Sequence, residues 1–114
     1  MTLPPIILPW CPIFTEDYPF GRVGAVYILF APVPGIHKIG CTNGNAITRA
    51  RPQRKHGLHL HGWCQTNAPY VAEKAVHDRL TVRRLNPHAE LFYISLDEAR
   101  ALVSAVCGTP YETH

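Results

Sequence analysis

Tyr27, Lys38, Arg49 and Glu73 are the side chains whose types and spacing raise a chemical question. Arginine suits a phosphate, because its planar fork makes paired charge-assisted hydrogen bonds. A phenol has a pKa of about 10, and a neighbouring cation favours its ionised form. A half-buried carboxylate needs a partner or an ion. If the fold brings them together, such groups could grip a phosphate beside a divalent cation. Each also has a plainer reading. Tyr27 suits the buried aromatic of an ordinary hairpin. Glu73 is followed four residues on by His77, one helical turn away, and the two suit a structural pair.

The charge distribution points the same way. The 114-residue chain carries a net charge of +3. No Asp or Glu occurs from Tyr18 through Ala72, whereas that span holds Arg22, Lys38, Arg49, Arg51, Arg54 and Lys55 with His37, His56, His59 and His61. An acid-free basic half followed by Glu73 suits a polyanion site that also holds a metal ion. A solvated basic helix face is the alternative. Arg54 and Lys55 read as outer contacts to a nucleic-acid backbone, which confer affinity and salt dependence without reading sequence.

These residues need elements to carry them. Val26, Ile28 and Phe30 alternate with Ala25, Tyr27 and Leu29, and the β-branched and aromatic content predicts a half-buried strand. Pro32-Val33-Pro34-Gly35 turns the chain, and Ile36 to Cys41 returns as its partner. Tyr27 shares a face with Lys38 in one register and with His37 or Ile39 in the neighbouring one. Thr42-Asn43-Gly44-Asn45 is a turn and a helix cap, and a helix over 46–51 presents Arg49 toward the hairpin until Pro52 disrupts it. Leu58 to Cys64 alternates as a third strand, with Leu58 and Leu60 toward the core and His59 and His61 on the wet face. His56, His59, His61 and Cys64 raise the question of zinc, although a closed shell of four ligands is not evident in their spacing.

Asn67-Ala68-Pro69 starts a helix that runs to about Thr81, with Ala72, Ala75, Val76 and Leu80 as its buried stripe and Glu73 on the flank. Arg83 and Arg84 follow, either as ion-paired scaffold or as substrate contacts. A last strand over 90–94 begins at Glu90, which reads as scaffold. A closing helix over 97–103 is capped by Ser95 or Asp97. The fold class is α/β in the α+β sense: a small antiparallel three-stranded central sheet flanked by helices, with a further C-terminal strand and helix. Residues 1–22 form a proline- and aromatic-rich arm, 23–107 the domain and 108–114 a loose tail.

Ala25-Val26-Tyr27, Lys38-Ile39-Gly40, the helix arginine and Glu73 with His77 together resemble the GIY-YIG nuclease superfamily, in its small phage and bacterial branch with a KIG second motif. The resemblance covers residues 24–96. Alanine stands where the first motif has glycine, lysine where the second usually has tyrosine. Arg49 lies one residue later than the usual spacing, so Arg51 is its rival. The resemblance implies hydrolysis of a phosphodiester in nucleic acid, DNA foremost. It makes Tyr27 the group that activates the nucleophile, helped by Lys38 and His37, and Arg49 the group on the scissile phosphate. Glu73 becomes the protein's ligand to Mg²⁺ or Mn²⁺, and His77 a proton-handling neighbour. Arg51, Arg54, Lys55, Arg83 and Arg84 are then nucleic-acid contacts.

Two other classes fit: a catalytically silent nucleic-acid-binding module, and a phage-type inhibitor that binds a protein partner through residues 1–22. The cysteines, Cys11, Cys41, Cys64 and Cys107, lie far apart and read as reduced thiols of a cytoplasmic protein. No apolar run approaches the ~20 residues of a membrane span.

Overall fold

The structure is a computed structural model that describes residues 3–9, 23–85 and 90–114. Strands β1 (Gly24–Phe30) and β2 (Ile36–Thr42) form an antiparallel hairpin. Gly35 makes its turn at φ 79°, a conformation that costs glycine nothing. Helix α1 (Ala46–Ala50) follows, then β3 (His59–Thr66), α2 (Pro69–Arg79), β4 (Leu91–Tyr93), α3 (Leu96–Cys107) and β5 (Tyr111–Thr113). The sheet has five strands in the order β4-β2-β1-β3-β5, and every pairing is antiparallel.

β1 is central and covered on both faces. Val26 and Ile28 join Ile39, Cys64 and the apolar stripes of α2 and α3 in the larger core. Ala25, Tyr27 and Leu29 join Ala46 and Ala50 of α1 in a smaller one. Both sets of alternating side chains are therefore buried, so the strand is apolar at every position between Ala25 and Leu29 rather than half-polar. Tyr27 pairs with Gly40, and Lys38 pairs with Leu29, so Tyr27 and Lys38 share the α1 face while His37 lies on the opposite one.

The Asn45 side chain caps α1 by accepting from Thr48 N at 3.1 Å. The α-helix ends one residue short of the expected 51. A 3-10 helix continues over Arg51–His56, with Pro52 in its first turn, and Gly57 closes it at φ 78°. Proline has no N–H for the α ladder, which explains the change of helix type. Ser95 and Glu98 form a reciprocal capping box at the start of α3.

β3 begins and ends later than the sequence suggests. A register shift between Ile28 and Leu29 lies opposite Leu60 and Gly62, so His61 falls in a bulge. Leu60 packs against the smaller core as expected. The tail is the clearest correction. Residues 108–114 read as loose, yet Tyr111–Thr113 pair with Gly62–Cys64 as an edge strand. Tyr111 also reaches the larger core. The aromatics assigned to the arm, Trp10, Phe14, Tyr18 and Phe20, lie outside the described residues. Of the arm's described part, Ile6 packs on the larger core. Among the described residues no helix is long and apolar enough to cross a membrane.

Candidate active site

An open cleft of about 490 Å³ lies where the middle of β1 and the C-terminal end of β2 meet α1 and the N-terminal half of α2. Tyr27, Arg49, Glu73 and Glu90 border it together with Cys41 and Tyr70. Tyr27 enters from β1, across the hairpin from Gly40. A Cβ at Gly40 would stand 2.7 Å from the tyrosine oxygen and 2.8 Å from its Cζ, so the ring occupies the space that a side chain would need. Arg49 enters from the last turn of α1 and is exposed. Glu73 enters from the second turn of α2 and is half-buried. Asn43 Nδ2 donates to the Tyr70 hydroxyl at 3.2 Å, which ties the β2–α1 turn to α2 across the cleft.

The electrostatics are those of a partly dry site. Burial holds the Glu73 carboxyl above the usual carboxylate range; the His77 charge opposes the rise and the Glu90 charge reinforces it. Cys41 lies against Glu73, and burial followed by the Glu73 charge pushes its thiol up to about 12. Burial likewise raises the Tyr27 phenol, against a hydrogen bond from Gln53 and the Arg49 charge. His77 donates from Nε2 to the Ile39 carbonyl at 2.8 Å, which fixes its ring between α2 and β2. Lys38 is linked to Tyr27 through Gln53. It donates to the Gln53 side-chain oxygen and pairs with Glu90 at 3.7 Å, while Gln53 Nε2 lies 3.3 Å from the Tyr27 oxygen. Among the described residues no three His, Cys, Asp or Glu side chains converge as a metal-binding group. The carboxylates that face the cleft are Glu73 and Glu90, and a cation between them would relieve their repulsion.

The model of the T5orf172 domain family matches residues 24–107. The chain belongs to the T5orf172 domain family. The matched span opens with β1 and closes with the last residue of α3, so the whole cleft lies inside the T5orf172 domain and β5 lies beyond it. No curated protein and no solved structure matches the chain significantly.

The T5orf172 domain thus brings Tyr27, Arg49 and Glu73 to one cleft, with His77 beside Glu73 and Lys38 one residue removed from Tyr27. Arg51, Arg54 and Lys55 are exposed on the adjoining 3-10 helix. Three other expected site residues lie elsewhere. His37 is buried on the far face of the sheet, where its Nδ1 donates to the Ile94 carbonyl at 2.8 Å. Arg83 is buried and serves as scaffold, bound to Glu98 at 3.3 Å and to the carbonyls of Tyr93 and Pro4. Arg84 lies over the Phe92 ring, 5.3 Å from its centroid. The histidine and cysteine group is dispersed. His61 is hydrogen-bonded to the Tyr111 hydroxyl at 2.7 Å, and the buried Cys64 thiol lies 3.7 Å from Ser104 Oγ.

Sequence reasoning missed Gln53 and underrated Glu90. Gln53 follows Arg49 by one helical turn, a spacing that signals a shared face. Glu90 is carried to the cleft by backbone pairing, because Ile39 N donates to its carbonyl at 3.1 Å.

Proposed function

We propose that the cleft is the active site of a metal-dependent endonuclease of the GIY-YIG type, cleaving phosphodiester bonds in nucleic acid, DNA foremost. Membership of the T5orf172 family is compatible with a nuclease-like or nucleic-acid-binding domain. One observation carries the reading: Tyr27, Arg49 and Glu73, from three separate elements, border a single polar cleft.

Arg49 takes the scissile phosphate, and its exposed guanidinium accommodates a phosphate without deep desolvation. Tyr27 stands beside it to orient the attacking water and accept its proton. Burial favours the neutral phenol, so the ionised form depends on the donors around the oxygen, Gln53 and Arg49. Glu73, with Glu90 across the same cleft, would hold Mg²⁺ or Mn²⁺, which when bound would supply positive charge beside the phosphate. His77, fixed on the Ile39 carbonyl, lends positive charge that opposes the burial-driven rise of the Glu73 carboxyl. Arg51, Arg54 and Lys55 extend the positive surface along the backbone of a bound strand. Cys41, Cys64 and Cys107 are free thiols, which suits work in a reducing cytoplasm.

A silent nucleic-acid-binding module is the second reading. The upward shift of Tyr27 favours it, because a neutral phenol is a poor base. Cleavage of plasmid DNA in Mg²⁺ by the parent, Tyr27→Phe and Arg49→Ala separates the two. The nuclease reading expects each substitution to lower kcat by 10²-fold or more with folding intact. Binding without cleavage by the parent would leave the binding module.

A further inference from the structure

Gln53 has contacts that admit only one chemistry. It is half-buried in the 3-10 helix Arg51–His56. Its Oε1 accepts from Lys38 Nζ. Its Nε2 lies 3.3 Å from the Tyr27 oxygen and 3.4 Å from the Arg49 carbonyl oxygen. An ammonium group can only donate, and a carbonyl can only accept. These neighbours therefore fix the amide from opposite ends. A flipped amide would set donor against donor at Lys38 and acceptor against acceptor at Arg49. With the amide fixed, its NH₂ group donates and the Tyr27 oxygen accepts.

We propose that Gln53 is a positioning residue for the reaction of the cleft: it holds the Tyr27 oxygen as a hydrogen-bond acceptor and thereby turns the hydroxyl proton toward the cleft. The catalytic meaning rests on the nuclease reading, whereas the polarity of the hydrogen bond does not. Lys38 acts at one remove. Its ammonium locks the amide, and Glu90 at 3.7 Å braces the ammonium. The Arg49 guanidinium acts on the phenol by charge and by a hydrogen bond of its own, Glu90 acts by charge, and Glu73 borders the same space from α2. Gln53 and Arg49 favour the phenolate, while burial and Glu90 oppose it.

The test compares Gln53→Glu and Gln53→Met with the parent. The glutamate keeps an acceptor for Lys38 but gives Tyr27 an oxygen, so the hydroxyl must donate. The methionine keeps the length, removes the donor and adds no charge. ¹³Cζ NMR of tyrosine-labelled full-length protein, without metal or nucleic acid, follows Tyr27 ionisation; Tyr27→Phe identifies its signal. Both variants are expected to ionise at higher pH, with about tenfold less phenolate at a given pH in Gln53→Glu. Cleavage by both variants is expected to fall at neutral pH, to recover as pH rises and to keep its KM. A Tyr27 midpoint unchanged or lowered in Gln53→Met overturns the proposal, as does a loss of cleavage that is uniform with pH. A raised midpoint in a protein whose parent cleaves nothing supports the Gln53 polarity and overturns the nuclease reading instead.

Discussion

Tyr27 lies across Gly40 with no room for a side chain between the strands: a Cβ on Gly40 would meet the tyrosine oxygen at 2.7 Å and the ring carbon Cε1 at 2.9 Å. The ring is rigid and its surroundings on the α1 face are packed, so a methyl there cannot be absorbed by a small rotation. Gly40→Ala is expected to displace the ring, to cost about 1–3 kcal/mol of stability by overpacking and to lower cleavage as severely as Tyr27→Phe. Thermal melts and plasmid cleavage check both parts. Unchanged activity in Gly40→Ala would mean that the position of Tyr27 does not matter to the reaction.

Glu73 makes stability depend on pH in a defined direction. Its carboxyl is raised in the folded protein, so the folded state favours the protonated form. That contribution is fully present below the carboxyl's unfolded pKa and is lost as pH rises through the raised folded value. At neutral pH the ionised Glu73 is therefore destabilising. Glu73→Gln should melt higher than the parent at pH 7 and lose that part of the pH dependence. Mg²⁺ should raise the melting temperature of the parent and not of the variant, since a ligand stabilises only the state that binds it.

Cys41 reports on the same carboxylate. Its thiol is pushed up to about 12 by burial and by Glu73, so little thiolate exists at neutral pH. Iodoacetamide at pH 7.5 should label Cys41 slowly in the parent and faster in Glu73→Gln, where the neighbouring charge is gone. Mass spectrometry of the peptide containing Cys41 measures the ratio. Equal rates would separate the thiol from Glu73.

The arginines and lysines divide into two kinds. Arg83 is buried beside Glu98 and backbone carbonyls, so Arg83→Ala leaves those carbonyls without their donor and should cost about 1–3 kcal/mol. Arg54 and Lys55 are exposed. The double change to alanine should leave the melt unmoved. It should weaken DNA binding and reduce the slope of log K against log salt by about 1.8, the value for two phosphate contacts.

The hairpin was legible because alternation, a Pro-Gly turn and a returning β-branched strand leave few other arrangements for residues 24–42. Periodicity gives the face of a strand but not its register, and this is why His37 and Lys38 remained rivals beside Tyr27. Pairing of Tyr27 with Gly40 decided for Lys38. Arg49 and Glu73 were legible as types at a spacing, whereas their approach depends on α1 and α2 reaching one cleft from opposite faces of the sheet. Gln53 was hidden because a neutral amide in a run of arginines and lysines carries no charge signal. β5 was hidden because its partner, β3, lies about 50 residues earlier in the chain, as the 2.7 Å contact between His61 and Tyr111 illustrates. The short tail alone has too little apolar pattern to announce a strand.

Glu73 is proposed to supply the protein's hold on the divalent ion of phosphodiester cleavage. Initial rates of supercoiled-plasmid nicking across a Mg²⁺ titration, for the parent and for folded Glu73→Gln, test it most directly. The expected result is saturable, EDTA-sensitive nicking by the parent and a loss of at least 10²-fold in the variant at every Mg²⁺ concentration. Equal rates in the two proteins, or nicking that ignores EDTA, would contradict it.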